Sequence, residues 1–195
     1  MTEAERQWVV AAKKGDVEAF NQLVRMYEGR VYGLCFRMLG DADHAADLAQ
    51  DTFISAYRSL NKFRDGSFIA WLLRIATNAC YDALRAQKRR PSTSLNALMD
   101  ADTDSTPYQF EDHAPSLDQQ MLNRELSHEI QAGLLTLPED QRVVLIMSDI
   151  QGFTYEDIAI ATDMQLGTVK SRLSRARAKL RDYLKERELL PAQYR

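Results

Sequence analysis

The chain has 195 residues and a mass of 22.3 kDa, room for one domain or two small ones. Hydrophobic residues make up 45% and charged residues 27%, a globular balance, and no run approaches the roughly 18 apolar residues of a membrane span. The formal net charge of −3 is unevenly spread: residues 91–130 carry eight acids and one base, whereas Lys170 to Arg187 holds eight bases and two acids. Local field rather than total charge decides whether phosphate is attracted. The acid-bearing N-terminus lacks the apolar core of a secretory signal, which places the chain in the cytoplasm. Two cysteines cannot make a disulfide framework, and Cys35 and Cys80 lie among apolar helical residues as core thiols.

In chain order, Phe20, Leu23, Val24, Tyr27, Val31, Leu34 and Cys35 repeat at helical spacing. Gly40-Asp41 breaks that run and an Asp caps the next helix, expected from Asp43 to Leu60 with a core stripe of Ala46, Ala49, Phe53, Ala56, Tyr57 and Leu60. A loop from Asn61 to Gly66 leads to a third helix through Trp71, Leu72, Ile75, Ala79 and Leu84. Pro91 to Ser116 has three prolines, many Ser, Thr and Asp residues and no period, the composition of a flexible acidic linker. Beyond it, Leu137-Pro138-Glu139-Asp140 starts a helix, with proline at its first position and acids in its first turn, that ends near Gly152. Thr154 caps a short helix, Asp163 to Gly167 turns, and a long basic helix begins near Thr168. No segment alternates as a strand would. The fold class is therefore all-α, two small helical domains joined by a linker, bounded at residues 1–90, 91–120 and 121–195.

Short helix, tight turn and long basic helix form a helix-turn-helix. Val169, Leu173, Ala176, Leu180 and Leu184 fall on one stripe of the last helix, its core face. Opposite lie Lys170, Ser171, Ser174, Arg175 and Ala178, small enough to enter a major groove and able to meet base edges. Arg172, Arg177, Lys179 and Arg181 lie further round, better placed for phosphates. A solvated charged face is the plain alternative, but the preceding helix and turn favour DNA.

Two features of the first half admit two readings each. Asp47, Leu48 and Asp51 fall outside the expected stripe, with Gln50 at its margin; they form a solvated face or a protein contact with a polar rim. Phe63, between Lys62 and Arg64, is a base-stacking platform or a core aromatic at a helix boundary. Trp71, one turn into the next helix, fits core better than stacking. His44, His113 and His128 have no metal-ligand spacing, no nucleophile–base pair is visible, and no cofactor motif occurs, so no enzyme, metal or cofactor is expected.

The order HAADLAQDTFISAYRSLNKFRDGSFIAWLLRIATNACYDALRAQKRR, a linker, then LLTLPEDQRVVLIMSDIQGFTYEDIAIATDMQLGTVKSRLSRARAKLRDYL resembles the extracytoplasmic-function (group IV) bacterial sigma factors over nearly the whole chain. The resemblance implies a region 2 helical bundle before the linker and a region 4 helix-turn-helix after it. It implies that Asp47, Leu48, Gln50 and Asp51 dock on the β′ clamp helices of core RNA polymerase. It carries −10 recognition, with a base flipped from the single strand, to Phe63 and Asn78, and places Arg85, Lys88, Arg89 and Arg90 along the adjacent backbone. It assigns −35 recognition in the promoter DNA to Thr168, Lys170, Ser171, Arg172, Ser174, Arg175 and Arg177, and implies a contact of region 4 with the β flap and control by a cognate anti-sigma factor. The paired aromatic wedge of housekeeping sigma factors has no counterpart, which implies weak melting and demand for a near-ideal promoter. The competing readings are a helix-turn-helix regulator acting independently of polymerase core and a helical adaptor. The first has no use for the DLAQD…WLLRIATN block, and the second leaves eight bases in one helix unexplained.

Overall fold

The computed structural model describes residues 1–89 and 117–189. Among these the regular elements are all helical. In the first half they are α1 (Glu3–Lys13), α2 (Val17–Leu39), α3 (Ala42–Ser59) and α4 (Phe68–Arg89). In the second they are α5 (Leu117–Thr136), α6 (Glu139–Leu145), α7 (Tyr155–Thr162) and α8 (Leu166–Glu186). The expected linker falls mostly outside the described residues, but its last part, from Leu117, is already α5.

α1 was not anticipated, although its signal is in the sequence. Thr2 and Glu5 form a capping box, in which the Thr2 hydroxyl accepts from Glu5 N–H and the Glu5 carboxylate accepts from Thr2 N–H. Glu5 is nonetheless buried, because the Tyr27 hydroxyl of α2 donates to it at 2.6 Å. Burial and that carboxylate push the Tyr27 hydroxyl above its ordinary pKa. A polar bond thus fixes α1 on α2, and Val9 and Ala12 complete the contact with apolar surface.

The other helix boundaries follow local chemistry. Asp16, Asp41 and Thr154 each accept a hydrogen bond from the backbone N–H three residues on, at 3.1, 2.7 and 3.1 Å. Gly40 ends α2 at φ 77°, a conformation that favours glycine, and a Cβ there would come within 2.7 Å of the end of the Leu135 side chain on α5, which would have to shift. Pro138 is the N-cap of α6 rather than its first residue. The helix it opens stays α-helical only to Leu145; the ladder then widens to a π turn over Ile146–Ile150, and Gly152 at φ 71° closes it.

The core stripe of α3 differs from the expected one. Ala45, Ala49, Thr52 and Ala56 are buried, with Leu60 just beyond the helix, whereas Ala46 and Tyr57 are exposed and Phe53 is half-buried. The buried stripe is turned by about half a residue, roughly 50°, because the helix packs against α2 and α4 together, and small side chains permit both approaches. Thr52 fits there because its hydroxyl donates to the Leu48 carbonyl at 2.8 Å.

One apolar cluster runs through both halves, from Val9 and Phe20 through Leu72 and Leu73 to Val143, Ile158 and Leu173. Cys35 and Cys80 are fully buried in it. Contact with Cys35 and burial push the Cys80 thiol well above its ordinary pKa, opposite to the shift of a reactive thiolate. The halves are also bonded to each other. Arg142 of α6 donates to the Met38 carbonyl near the end of α2, and to Leu135 and Leu137 carbonyls at 2.9 and 3.1 Å. Gln151 donates to the Arg30 carbonyl at 2.8 Å, and the Arg30 guanidinium lies 5.0 Å from the Phe153 ring centroid. α7 packs along α4, where Arg74 pairs with Asp163 at 3.2 Å.

Candidate nucleic-acid interface

α7 and α8 are joined by a turn in which Asp163 takes a left-handed conformation, φ 56°, which an aspartate tolerates better than most residues. Val169, Leu173 and Ala176 are buried against the core; Leu180 and Leu184 are half-buried further along the same stripe. This burial fixes the rotation of α8 and leaves Lys170, Ser171, Ser174 and Arg175 exposed together. Ser171 also donates to the Thr168 carbonyl at 3.0 Å; Thr168 itself is half-buried, two residues inside a helix that starts at Leu166. The small residues Ser174 and Ala178 line an open groove together with Tyr155, Lys170, Leu173, Arg177 and Arg181. Its cations and hydroxyls surround a depression that can take a phosphate or a base edge.

Two arginines expected to be free for phosphates are already engaged. Arg172 is half-buried, with Nε 2.9 Å from an Asp140 carboxylate oxygen, and it contacts Met164 sulfur at 2.8 Å. Arg177 donates twice to Asp149, at 2.8 and 2.6 Å. Those bonds hold the Asp149 carboxyl below the ordinary carboxylate range, against the opposing effect of partial burial, and they raise the Arg177 pKa. A carboxyl whose folded pKa is depressed contributes stability above its unfolded value of about 3.9, and that contribution is lost as pH falls through the folded value. Asp149→Asn is therefore expected to lower the urea midpoint at pH 7. Its difference from the parent should shrink once the pH drops through the lowered Asp149 pKa.

In the first half, α3 presents Asp47, Gln50 and Asp51 to solvent. Leu48 among them is half-buried and leans on the core rather than standing clear of it. On α4, Asn78, Arg85, Lys88 and Arg89 are exposed, and Arg90 lies outside the described residues. Arg85 pairs with Asp82 at 3.3 Å. Lys88 reaches across to Glu139 of α6 at 2.7 Å. Glu139 and Asp140, adjacent residues, thus hold one cation from α4 and one from α8. In the sequence this pair is marked only as helix-start acids.

Phe63 answers to the core alternative. It is 4% exposed, set edge-on to Phe68 with ring centroids 5.4 Å apart and 5.4 Å from Trp71, which is itself half-buried. The ring is not an open platform in this arrangement. On either side of Phe63 the loop is exposed, at Asn61 and Lys62 before it and at Arg64, Asp65 and Gly66 after it. Its underside carries a contact that the sequence did not indicate: Lys13, at the end of α1, donates to the Phe63 carbonyl.

Among the described residues no group of three or more His, Cys, Asp or Glu side chains is placed to hold a metal, and no helix is long and apolar enough to cross a membrane.

Residues 23–90 match the Sigma-70 region 2 family, and residues 127–180 match the Sigma-70, region 4 family. The chain is 39% identical to the RNA polymerase sigma-H factor of Pseudomonas aeruginosa over 176 residues, covering 90% of this chain and 91% of the relative. It is 36% identical to the ECF RNA polymerase sigma factor SigW of Bacillus subtilis, covering 89% and 93%. Among solved structures, it resembles the sigma factor RpoE of Bartonella quintana in complex with the anti-sigma factor NepR, with a TM-score of 0.62, 31% identity and 85% and 96% of the two chains covered. A polymerase-independent regulator or an adaptor would account for neither the region 2 block nor relatives of this length. The chain belongs to the ECF RNA polymerase sigma factors, transcription initiation factors that bind core RNA polymerase and direct initiation at promoters by recognising −10 and −35 elements.

Proposed function

We propose that residues 1–90 and 121–195 work as separate functional domains that must part to read a promoter. The names of the two elements put them 25 base pairs apart, about 85 Å of duplex at 3.4 Å per step. Lys88 of α4 and Arg172 of α8 are instead held on the adjacent residues Glu139 and Asp140, within a side chain's reach of each other. That single juxtaposition carries the reading: the closed arrangement holds the two DNA-facing helices too near each other for both elements.

In the open form, the face of α3 with exposed Asp47, Gln50 and Asp51 around half-buried Leu48 meets the β′ clamp helices, and a second surface of region 4 meets the β flap. The loop around Phe63, with Asn78 on α4, receives the single-stranded −10 element, and Arg85, Lys88, Arg89 and Arg90 follow its phosphates. Lys170, Ser171, Ser174 and Arg175 read the −35 duplex and Thr168 supports them at the backbone; Arg172 and Arg177 brace the reading helix through Asp140 and Asp149, and follow phosphates only where those pairs open. An anti-sigma factor controls the chain by stabilising the closed form, a reading favoured by the likeness to RpoE in its NepR complex. The factor works where core polymerase works, in the cytoplasm.

The test is run-off transcription with purified core polymerase on a fragmented genomic template. The parent protein is expected to give promoter-specific transcripts. Asp51→Arg, which reverses a charge on the α3 face, is expected to abolish them while DNA binding by α8 survives. Transcripts undiminished by Asp51→Arg would remove α3 from the polymerase contact.

A further inference from the structure

The loop between α3 and α4 is pinned at two points. At its start, Leu60 to Lys62 forms a 3-10 turn, and Phe63 follows in extended backbone with its ring packed against both Phe68 and Trp71. At its end, the Ser67 hydroxyl accepts from Ala70 N–H at 3.3 Å, and the Ser67 carbonyl accepts from Trp71 N–H at 3.1 Å, which starts α4. Only Arg64, Asp65 and Gly66 project between these points, and Gly66 takes φ 108°, a conformation L side chains rarely adopt.

Lys13 holds the first point from below. Its ammonium donates to the Phe63 carbonyl and lies 5.4 Å from the Phe63 ring centroid. One cation thereby fixes both the ring and the peptide plane that leads into Arg64. A charge-assisted bond to a carbonyl is stronger than a neutral one, and it acts on the residue that sets the direction of the exposed tip. Lys13 lies fifty positions away in sequence and is half-buried, so it orients the loop rather than touching what binds there.

We propose that Lys13 is a positioning residue for recognition of single-stranded −10 DNA: it holds the Arg64–Gly66 tip in the shape that receives an unstacked base. This rests on the proposed role of the loop in −10 reading. A loop ordered before binding loses less conformational freedom on binding, so the benefit falls on affinity and base discrimination.

The holoenzyme first selects its preferred oligonucleotide from a randomised single-stranded DNA pool. Fluorescence anisotropy then compares that oligonucleotide with its single-base variants. In Lys13→Met, which keeps the apolar stem, discrimination is expected to fall about tenfold, of the order a lost positioning contact produces. Lys13→Arg, which keeps a cationic donor, restores most of it, and assembly with core polymerase is unchanged in both. Gly66→Ala meets no neighbouring atom but strains the same tip from its other end, and is expected to lower discrimination without disturbing Lys13. Full discrimination in Lys13→Met would overturn the proposal while leaving the loop's role intact. A parent holoenzyme with no base preference in the pool would overturn the role of the loop itself.

Discussion

Replacing Arg142 by methionine is expected to lower stability by about 2–4 kcal/mol and to separate the two halves of the molecule. The residue is only 6% exposed, and burial lowers its guanidinium pKa. Its charge is tolerated there because three backbone carbonyls accept from it, those of Met38, Leu135 and Leu137. Two belong to the end of α5 and the turn after it, one to the last turn of α2. Methionine fills similar space but leaves all three acceptors without that donor. Most of the remaining polar ties between the halves are weaker. Gln131 reaches the Phe36 and Arg37 carbonyls at 3.4 Å each, and the pairs Arg74–Asp163 and Lys88–Glu139 have well-exposed cations, which are worth little in water. Urea unfolding and small-angle scattering should therefore change together: a lower midpoint and a larger radius of gyration at low denaturant. A lower midpoint with an unchanged radius would confine Arg142 to holding α5 and α6 together, and the docking would rest on apolar contact and the remaining polar ties, Gln151 to Arg30 first among them.

Alanine at both Lys170 and Arg175 is expected to weaken binding to a selected −35 duplex about a hundredfold, and Arg177→Ala about threefold or less. Lys170 and Arg175 stand exposed on the same face of α8 as Ser171 and Ser174, placed to meet base edges, whereas the Arg177 guanidinium is committed to Asp149 by two bonds. The same logic predicts a gain. Asp140→Asn removes the charge that holds Arg172 and should add about one unit to the slope of log K against log salt, as one further phosphate contact would. Anisotropy titrations at several salt concentrations measure both effects. Equal losses for Arg175 and Arg177 would mean that the Arg177–Asp149 pair opens on DNA.

Much of the architecture was legible from periodicity and punctuation. Helical spacing located α2, α4 and the buried stripe of α8, because a helix that buries one face must repeat near 3.6 residues whatever it packs against. Gly40, the Asp41 cap and the Thr154 cap marked boundaries through local bonds that need no distant partner. The exposed quartet Lys170, Ser171, Ser174 and Arg175 follows from the same spacing, since fixing the inner stripe fixes the outer one. α1 is also written locally, in its Thr2–Glu5 capping box.

What the sequence could not decide were choices between neighbours that only packing makes. α3 had to fit two helices at once, and that rotated its stripe toward Ala45 and Thr52. Phe63 could equally have faced solvent; Phe68 and Trp71, brought beside it by the turn into α4, decided for the core. The charges of Arg172 and Arg177 were plain in the sequence, but their carboxylate partners lie on α6 and its π turn, so only tertiary structure could show which cations are spoken for. Lys13 and Arg142 are the same case: each ends on a backbone carbonyl far along the chain, and a carbonyl is present at every residue, so nothing in the sequence marks the one that is chosen.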